Sequence, residues 1–169
     1  MNGFEIERKY LIRMPDAAFL EAAASPSEIV QTYLLRPAPL INARVRKRGR
    51  EGAWTYTHTQ KIRVSELSRI EDEREISEEE YRALLQKADP SCNVIRKTRW
   101  VLPWRGQLFE IDVYPFWQRQ AVMEIELENE EQAVELPPQI QILREVTDDD
   151  RYLNSSLSRH IPPEEEEKG

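Results

Sequence analysis

Charged residues alternate with apolar ones in the segment Phe4–Ile12, whose sequence is FEIERKYLI. Because successive side chains of a β-strand point to opposite faces, a strand here places Glu5, Glu7 and Lys9 on one face and mostly apolar residues on the other. The same pattern returns in Ser68–Ile76, where one face carries an arginine and three glutamates. A solvated strand face explains one such strand, but not the recurrence of the pattern along the chain. The alternation therefore predicts strands with one strongly charged face.

The rest of the chain reads as further strands, joined mostly by short turns, with helices between or after them. Antiparallel strands in this number commonly close into a barrel, which leaves no exposed edge. The predicted strands are Phe4–Ile12, Ile29–Leu34, Leu40–Arg48, Trp54–Arg63, Ser68–Ile76, Asn93–Leu102, Gln107–Tyr114 and Ala121–Glu128. The predicted helices are Asp16–Ala24, a helix that begins at the Ser77 capping box and ends near Ala88, and Thr147–Arg159.

The charged strand faces carry seven bases and nine acids, a net charge of −2. If these faces turned outward, the barrel interior would contain charges such as Asp72 and Arg74, and the helices would lack an apolar surface. If they line the lumen, the ions need partners, because burying an ion costs several kcal/mol. Two divalent cations would change −2 to +2, a charge suited to a polyphosphate anion. The bases are Lys9, Arg44, Arg46, Lys61, Arg69, Lys97 and Arg99; the acids are Glu5, Glu7, Glu71, Glu73, Glu75, Glu110, Asp112, Glu124 and Glu126.

The predicted fold is therefore mainly β (α+β): an eight-stranded antiparallel closed tunnel with a charged lumen and flanking helices. The length of 169 residues suits one domain with a sizeable core. We expect residues 1–160 to form this single tunnel domain and residues 161–169, which include four consecutive glutamates, to form a disordered acidic tail.

The amino-acid composition restricts the classes of molecule that the protein is expected to bind. A net charge of −7 argues against non-specific nucleic acid binding, which needs a basic surface. With one cysteine and two histidines, a metal site is expected to be rich in oxygen ligands, which favours Mg²⁺ or Mn²⁺ over zinc. No apolar signal run or membrane-length apolar stretch is present, so we expect a cytoplasmic protein that does not bind membranes.

The motifs along the chain resemble the CYTH superfamily, the triphosphate tunnel metalloenzymes. The family hallmark E-x-E-x-K corresponds to Glu5, Glu7 and Lys9, and the match covers about residues 3–158. The ordered motifs behind it are Arg44-x-Arg46, Thr59-x-Lys61, Arg69-x-Glu71-x-Glu73, Lys97-x-Arg99, Glu110-x-Asp112, Glu124-x-Glu126 and Thr147…Arg151-Tyr152-x-Asn154. The resemblance implies an eight-stranded tunnel and a divalent metal. The short bacterial members that the chain most resembles hydrolyse inorganic triphosphate.

The resemblance also implies roles for individual residues. The metal ligands would be Glu5, Glu7, Glu73, Glu124 and Glu126, and the substrate would be bound by Lys9, Arg44, Arg46, Lys61, Lys97 and Arg99. Catalytic roles fall on Glu7, Lys9, Arg44 and Lys61, with Glu71, Glu110, Asp112, Thr59 and Tyr33 as further candidates. Whether Lys9 is a base or an electrostatic clamp stays open.

Other functions are compatible with the same residues. Within the family, the alternatives are adenylyl cyclase and nucleoside or thiamine triphosphatase activity, which need a pocket for the organic part of the substrate. A different class of function is a non-catalytic module that binds polyphosphate or nucleotides. The sequence also leaves open a homodimer formed through exposed apolar strand faces.

Overall fold

In a computed structural model the chain forms a barrel of antiparallel strands with short helices outside it. The structure describes residues 2–65 and 68–165. The strands are β1 (Asn2–Arg13), β2 (Ser25–Tyr33), β3 (Ile41–Arg50), β4 (Ala53–Arg63), β5 (Ser68–Ile76), β6 (Ile95–Trp104), β7 (Gln107–Val113), β8 (Gln120–Glu126) and β9 (Ile142–Glu145). The α-helices are α1 (Ala17–Ala23), α2 (Glu78–Leu84) and α3 (Asn154–Leu157), and 3₁₀ turns form at Leu85–Lys87 and Asp150–Tyr152.

Eight of the strands close into a ring. Their order is β5-β4-β3-β2-β6-β7-β8-β1, and pairing of β1 with β5 completes the circle. Strand β1 makes this closure possible because it is long: residues 2–6 pair with β5 and residues 7–13 pair with β8. Strand β9 pairs with residues Tyr10–Ile12, on the edge of β1 that faces away from β8. The predicted eight-stranded antiparallel tunnel is confirmed.

The strand register brings opposite charges together in the lumen, which is the interior of the barrel. Glu5 on β1 lies opposite Arg69 on β5, and Glu71 on β5 lies opposite Lys61 on β4. A shift of one residue would turn every charged side chain of a strand to the outside. The alternating pattern therefore fixes both the register and the face that each strand presents to the lumen.

Two apolar clusters cover the outside of the barrel. Leu20 of α1 packs with Phe109 of β7 and Met123 of β8 in one of them. In the other, Tyr81 of α2 packs with Val45 and other buried side chains of the barrel wall. As predicted, Ser77 caps the start of α2: its Oγ accepts a hydrogen bond from the backbone N–H of Glu80 at 3.0 Å. The helices thus pack on the apolar outer faces of the strands.

At one end of the barrel, apolar side chains replace the charged ones in the lumen. Leu11, Tyr114 and Val122 continue the lumen-facing series of β1, β7 and β8. They are buried together with Tyr152 and Leu157, which belong to residues 146–158, here called the C-terminal segment. This segment therefore fills one end of the barrel.

The helix predicted over Thr147–Arg159 is wrong. The chain forms a 3₁₀ turn and then the single turn of α3, and Leu153 between them is extended, with φ −66° and ψ 141°. Packing of this segment into the barrel end outweighs its helix propensity, as tertiary contacts often do. Strand β9, which precedes the segment, was not predicted.

Part of the segment predicted to be disordered contacts the barrel. The Nε1–H of Trp117 donates to the carbonyl oxygen of Pro162 at 2.9 Å. The backbone N–H of Gln118 donates to Oε1 of Glu164 at 2.8 Å. Residues 161–165 are thus held in place, while the rest of that prediction, residues 166–169, falls outside the described residues.

The lengths and compositions of the helices show whether any of them could span a membrane. None of those within the described residues has both the length and the apolar composition that crossing a membrane requires.

The two faces of β7 can be compared by mutation. Phe109→Ala removes a fully buried ring from the outer cluster, and we expect the free energy of unfolding to fall by about 3–5 kcal/mol. Leu108→Ala is the matched control on the same strand, because this side chain is exposed, and we expect a change within about 0.5 kcal/mol. Urea denaturation measures both. Equal losses from the two variants would contradict the assignment of the strand faces.

Candidate functional site

A cavity of about 250 Å³ occupies the lumen between the barrel strands. Fourteen residues that were predicted for the site line it: Glu5, Glu7, Lys9, Tyr33, Arg44, Arg46, Thr59, Lys61, Glu71, Glu73, Arg99, Glu110, Glu124 and Glu126. They come from all eight strands of the ring and meet because each strand turns its charged face inward. The alternation in the sequence is thus the local cause of the site.

The two other predicted residues lie behind the cavity wall. Lys97 and Asp112 are fully buried and their side chains are joined by a contact of 2.8 Å between Nζ and Oδ2. Asp112 also accepts two hydrogen bonds from Arg99, at 2.7 and 2.9 Å. Arg99 itself faces the cavity, so Asp112 and Lys97 support a lining residue and do not line the cavity themselves.

Some lining residues were not among the predicted ones. Asn42 and Arg48 face the cavity because they continue the alternation of β3 in both directions, a signal that was present in the sequence. Leu153, Asn154 and Ser155 line it from the C-terminal segment. Their position could not be inferred from spacing, since they belong to a stretch that was predicted as one continuous helix. Arg63 and Leu40 complete the described part of the lining, together with Arg69, which the sequence had placed among the bases of the charged faces.

Carboxylates dominate one side of the cavity, here called the acidic wall: Glu5, Glu7, Glu110, Glu124 and Glu126 on the neighbouring strands β1, β7 and β8. Glu7 lies directly opposite Glu126 in the strand register, and Glu110 lies directly opposite Glu124. Like charges in directly opposite positions destabilise a sheet. This wall therefore carries an excess of negative charge.

Basic side chains dominate the other side, here called the basic wall: Arg44, Arg46 and Arg48 on β3, with Lys61 on β4. In the ring of eight strands, β3 lies four strands from β8, directly across the lumen. The buried Nε atoms of Arg44 and Arg46 have no hydrogen-bond partner. This wall therefore has donors to spare for an anion.

Some acids and bases of the cavity form ion pairs with each other. Lys61 Nζ lies 3.1 Å from Glu5 Oε1, and Lys9 Nζ lies 3.3 Å from Glu124 Oε1. Glu73 on β5 accepts a hydrogen bond of 2.8 Å from the hydroxyl of Thr59. These pairs lower the cost of placing so many charges inside the barrel.

The pKa values reflect the excess charge on each wall. Burial raises the pKa of Glu126 above its usual value, and the neighbouring carboxylates of Glu5, Glu110 and Glu7 raise it further. Burial lowers the pKa of Arg46 to about 9, with further lowering by the charges of Arg44 and Arg99. Each wall is thus destabilised by its own like charges, which a bound ion of opposite sign would relieve.

Lys9 has a different environment. Burial alone would lower the pKa of Lys9, but the carboxylates of Glu124 and Glu7 outweigh it and hold this pKa above its usual value. The Nζ atom also donates to the carbonyl oxygen of Tyr152 at 3.2 Å. Lys9 therefore stays protonated and acts as a cation.

A buried pair supports the wall from behind. Burial lowers the pKa of Lys97 to about 7 against the attraction of Asp112. Burial would raise the pKa of Asp112, but Arg99 and Lys97 outweigh it and hold this pKa well below its usual range. Asp112 is therefore ionised and fixes the guanidinium of Arg99.

The acidic wall fits a divalent cation in ligand chemistry. The opposed pairs Glu7/Glu126 and Glu110/Glu124 supply the hard oxygen ligands that Mg²⁺ and Mn²⁺ prefer. Among the described residues, no three acidic, histidine or cysteine side chains already converge as a metal cluster, since several of these glutamates point to basic partners. Binding of a cation would require rotation of these side chains.

Comparison with known proteins places the chain in a family. The profile of the CYTH domain matches residues 3–155. An inorganic triphosphatase from Nitrosomonas europaea is 34% identical over 161 residues, which cover 94% of this chain and 99% of that protein. The structure of the inorganic triphosphatase NE1496 has a TM-score of 0.59 at 30% identity, covering 94% of this chain and 97% of that one. The PH1012 protein from Pyrococcus horikoshii, 21% identical, has the same fold, with a TM-score of 0.54 over 74% of this chain and 80% of that one. The predicted family is confirmed: this chain belongs to the CYTH family.

Proposed function

We propose that this protein hydrolyses inorganic triphosphate to pyrophosphate and phosphate in its charged cavity, with Mg²⁺ or Mn²⁺ as cofactor. The observation that carries the proposal is the division of the cavity into an acidic wall and a basic wall. Arginine and lysine bind phosphate oxygens, while carboxylates bind hard cations that themselves bind phosphates. The reaction named for the relative from Nitrosomonas europaea supports the same chemistry.

In this proposal the acidic wall and Glu73 hold the cation. The ligands are Glu5, Glu7, Glu73, Glu124 and Glu126, with Glu110 beside them. When bound, a divalent cation neutralises phosphate charge and lowers the pKa of a coordinated water. Relief of the repulsion between Glu7 and Glu126 favours binding of the cation at this wall.

The basic wall holds the phosphate oxygens. Arg44, Arg46 and Lys61 clamp the substrate, and Arg99 joins them in an orientation that Asp112 fixes. Lys97 contributes through Asp112 and makes no direct contact with the substrate. Because Asp112 holds the Arg99 guanidinium before the substrate arrives, little reorganisation of this group is needed during the reaction.

In the reaction, a water oxygen forms a bond to the terminal phosphorus while the bond from that phosphorus to the bridging oxygen breaks. Pyrophosphate leaves with the electron pair of the broken bond. Lys9, which stays protonated, is suited to stabilise the charge that develops on the phosphate oxygens and acts as a clamp.

Inorganic triphosphate fits the cavity better than a nucleotide does. Most lining side chains are charged, and among the lining residues that the structure describes only Tyr33, Leu40 and Leu153 offer a large apolar or aromatic surface. A base needs an apolar or aromatic wall for stacking, whereas a bare phosphate chain needs only donors and cations. The preference therefore follows from the lining of the cavity.

The first test compares substrates. Inorganic triphosphate, ATP, GTP and thiamine triphosphate are incubated with the protein and Mg²⁺ or Mn²⁺, and release of phosphate and of cyclic nucleotide is measured. We expect fastest release from inorganic triphosphate, no cyclic product, and no activity after removal of divalent ions with a chelator. Tight binding of triphosphate without turnover in either metal would instead identify a binding module, and a cyclic product would identify a cyclase.

The acidic wall is tested with Glu7→Gln. Loss of one carboxylate charge at the proposed cation site should lower kcat/KM for inorganic triphosphate by about 100-fold or more. Glu79→Gln makes the same change on the exposed surface of α2 and should leave the activity unchanged. Thermal unfolding checks that both variants fold. Wild-type activity of Glu7→Gln at saturating metal would refute this ligand assignment.

The basic wall is tested with Arg46→Gln. Folding buries this charge beside Arg44 and Arg99 and lowers its pKa, so the charge destabilises the ligand-free protein. Its removal should raise the free energy of unfolding, because a lowered pKa means that folding disfavours the charged form, and should raise KM about tenfold through loss of a phosphate contact. Arg50→Gln, an exposed change on the same strand, should alter neither quantity. If Arg46→Gln lost stability in urea denaturation, the wall would not be under charge repulsion.

A further inference from the structure

The C-terminal segment supplies part of the cavity lining that no strand provides. Leu153, Asn154 and Ser155 line the cavity at the point where the segment passes the lumen. The segment is held firmly there, because Tyr152 and Leu157 are buried in the barrel end and Lys9 donates to the carbonyl oxygen of Tyr152. Side chains of this stretch therefore face the substrate site from a fixed backbone.

Asn154 is oriented by two donors behind the cavity. The Tyr114 hydroxyl donates to Oδ1 of Asn154 at 2.6 Å, and Nζ of Lys97 donates to the same atom at 3.3 Å. The same Nζ atom donates to Oδ2 of Asp112 at 2.8 Å, so the amino group of Lys97 donates to both of its neighbours. The amide oxygen of Asn154 must therefore face Lys97.

This orientation determines the direction of the other half of the amide. Because Oδ1 is engaged with Tyr114 and Lys97, the two N–H groups on Nδ2 point away from them. No hydrogen-bond partner for Nδ2 occurs within residues 2–65 and 68–165, and Asn154 lines the cavity. The amide thus presents unused neutral donors on the cavity side.

Neutral donors differ from the bases of the cavity walls. Lys9, Lys61 and Arg99 each contact a carboxylate, so an incoming phosphate must compete with that carboxylate for them. The amide of Asn154 has no such competitor. A phosphate oxygen is an acceptor and suits these donors.

We propose that Asn154 contacts the substrate through its carboxamide N–H, which donates to a phosphate oxygen, and that Tyr114 and Lys97 are positioning residues for it. The inference rests on the proposed function, since it assigns a substrate contact in the same cavity. It makes the C-terminal segment part of the substrate site as well as the closure of the barrel end. Nucleotide and inorganic substrates share this phosphate chemistry.

The test is Asn154→Asp. This change keeps an oxygen for Tyr114 and Lys97 but replaces the N–H donors with a second carboxylate oxygen, which repels phosphate. Loss of a hydrogen bond to a charged group predicts that KM for inorganic triphosphate rises about tenfold or more. The melting temperature should not fall, because the contacts behind the cavity remain. Asn129→Asp, the same change in the exposed loop after β8, should leave KM and kcat unchanged.

A second variant covers the case in which Asn154→Asp does not fold. Asn154→Ala lacks the donor without adding charge, and KM should again rise. Tyr114→Phe loses one of the two hydrogen bonds that orient Asn154, and KM should rise by a smaller factor. A folded Asn154→Asp or Asn154→Ala protein with the KM of the wild type would overturn the inference.

Failure of the proposed function looks different. In that case the wild type itself would release no phosphate from inorganic triphosphate. Calorimetric titration of inorganic triphosphate into wild type and Asn154→Asp would then decide the contact: weaker binding by the variant supports it, and equal binding or no binding by either protein refutes it.

Discussion

The structure depends on one constraint, the neutralisation of many charges inside a closed barrel. Buried ions are tolerated only where partners or ligands compensate for their lost hydration. Here other strands provide the partners: Lys61 lies 3.1 Å from Glu5, and Arg69 lies 3.8 Å from Glu7. The same residues that hold the register therefore make up the site, and the fold cannot be separated from its function.

The neutralisation is incomplete, and the uncompensated charges of the two signs lie on opposite walls of the cavity. Acids gather on β1, β7 and β8 and bases on β3 and β4, so each wall keeps an excess of its own sign. Burial and the neighbouring like charges together raise the pKa of Glu126 and lower the pKa of Arg46. A cation at one wall and an anion at the other would remove both excesses together. Relief of the repulsion between like charges, which destabilises the ligand-free fold, would then contribute to the binding free energy of the two ligands.

Much of this arrangement was accessible from the sequence because a strand has a strict period of two. Once Glu5, Glu7 and Lys9 share a face, the same reasoning applied to the other seven strands brings the charged residues into one lumen. The reasoning failed where the period does not operate. The C-terminal segment has no regular pattern, and its conformation is set by packing into the barrel end, which only the assembled barrel provides.

The sequence also did not show how deeply each base is buried in the barrel wall. Lys97 and Arg99 have the same spacing as Arg44 and Arg46, yet Lys97 is buried behind the cavity while Arg99 lines it. Asp112 contacts both bases, and the difference arises at Asn154, which lies between Lys97 and the cavity. Alternation decides which face a residue occupies, whereas neighbours from other strands decide how far it reaches.

The C-terminal segment completes the site by a different principle from the strands. The strands supply charge in pairs, so each acid or base that they add needs an opposite partner. To the cavity lining the segment instead adds Leu153, Asn154 and Ser155, which are neutral and leave the charge balance of the lining unchanged. It also fills one end of the lumen with Tyr152 and Leu157, which keeps water from that end and strengthens the electrostatic interactions within. The separated charges of the two walls thus act more strongly because apolar side chains close this end of the lumen.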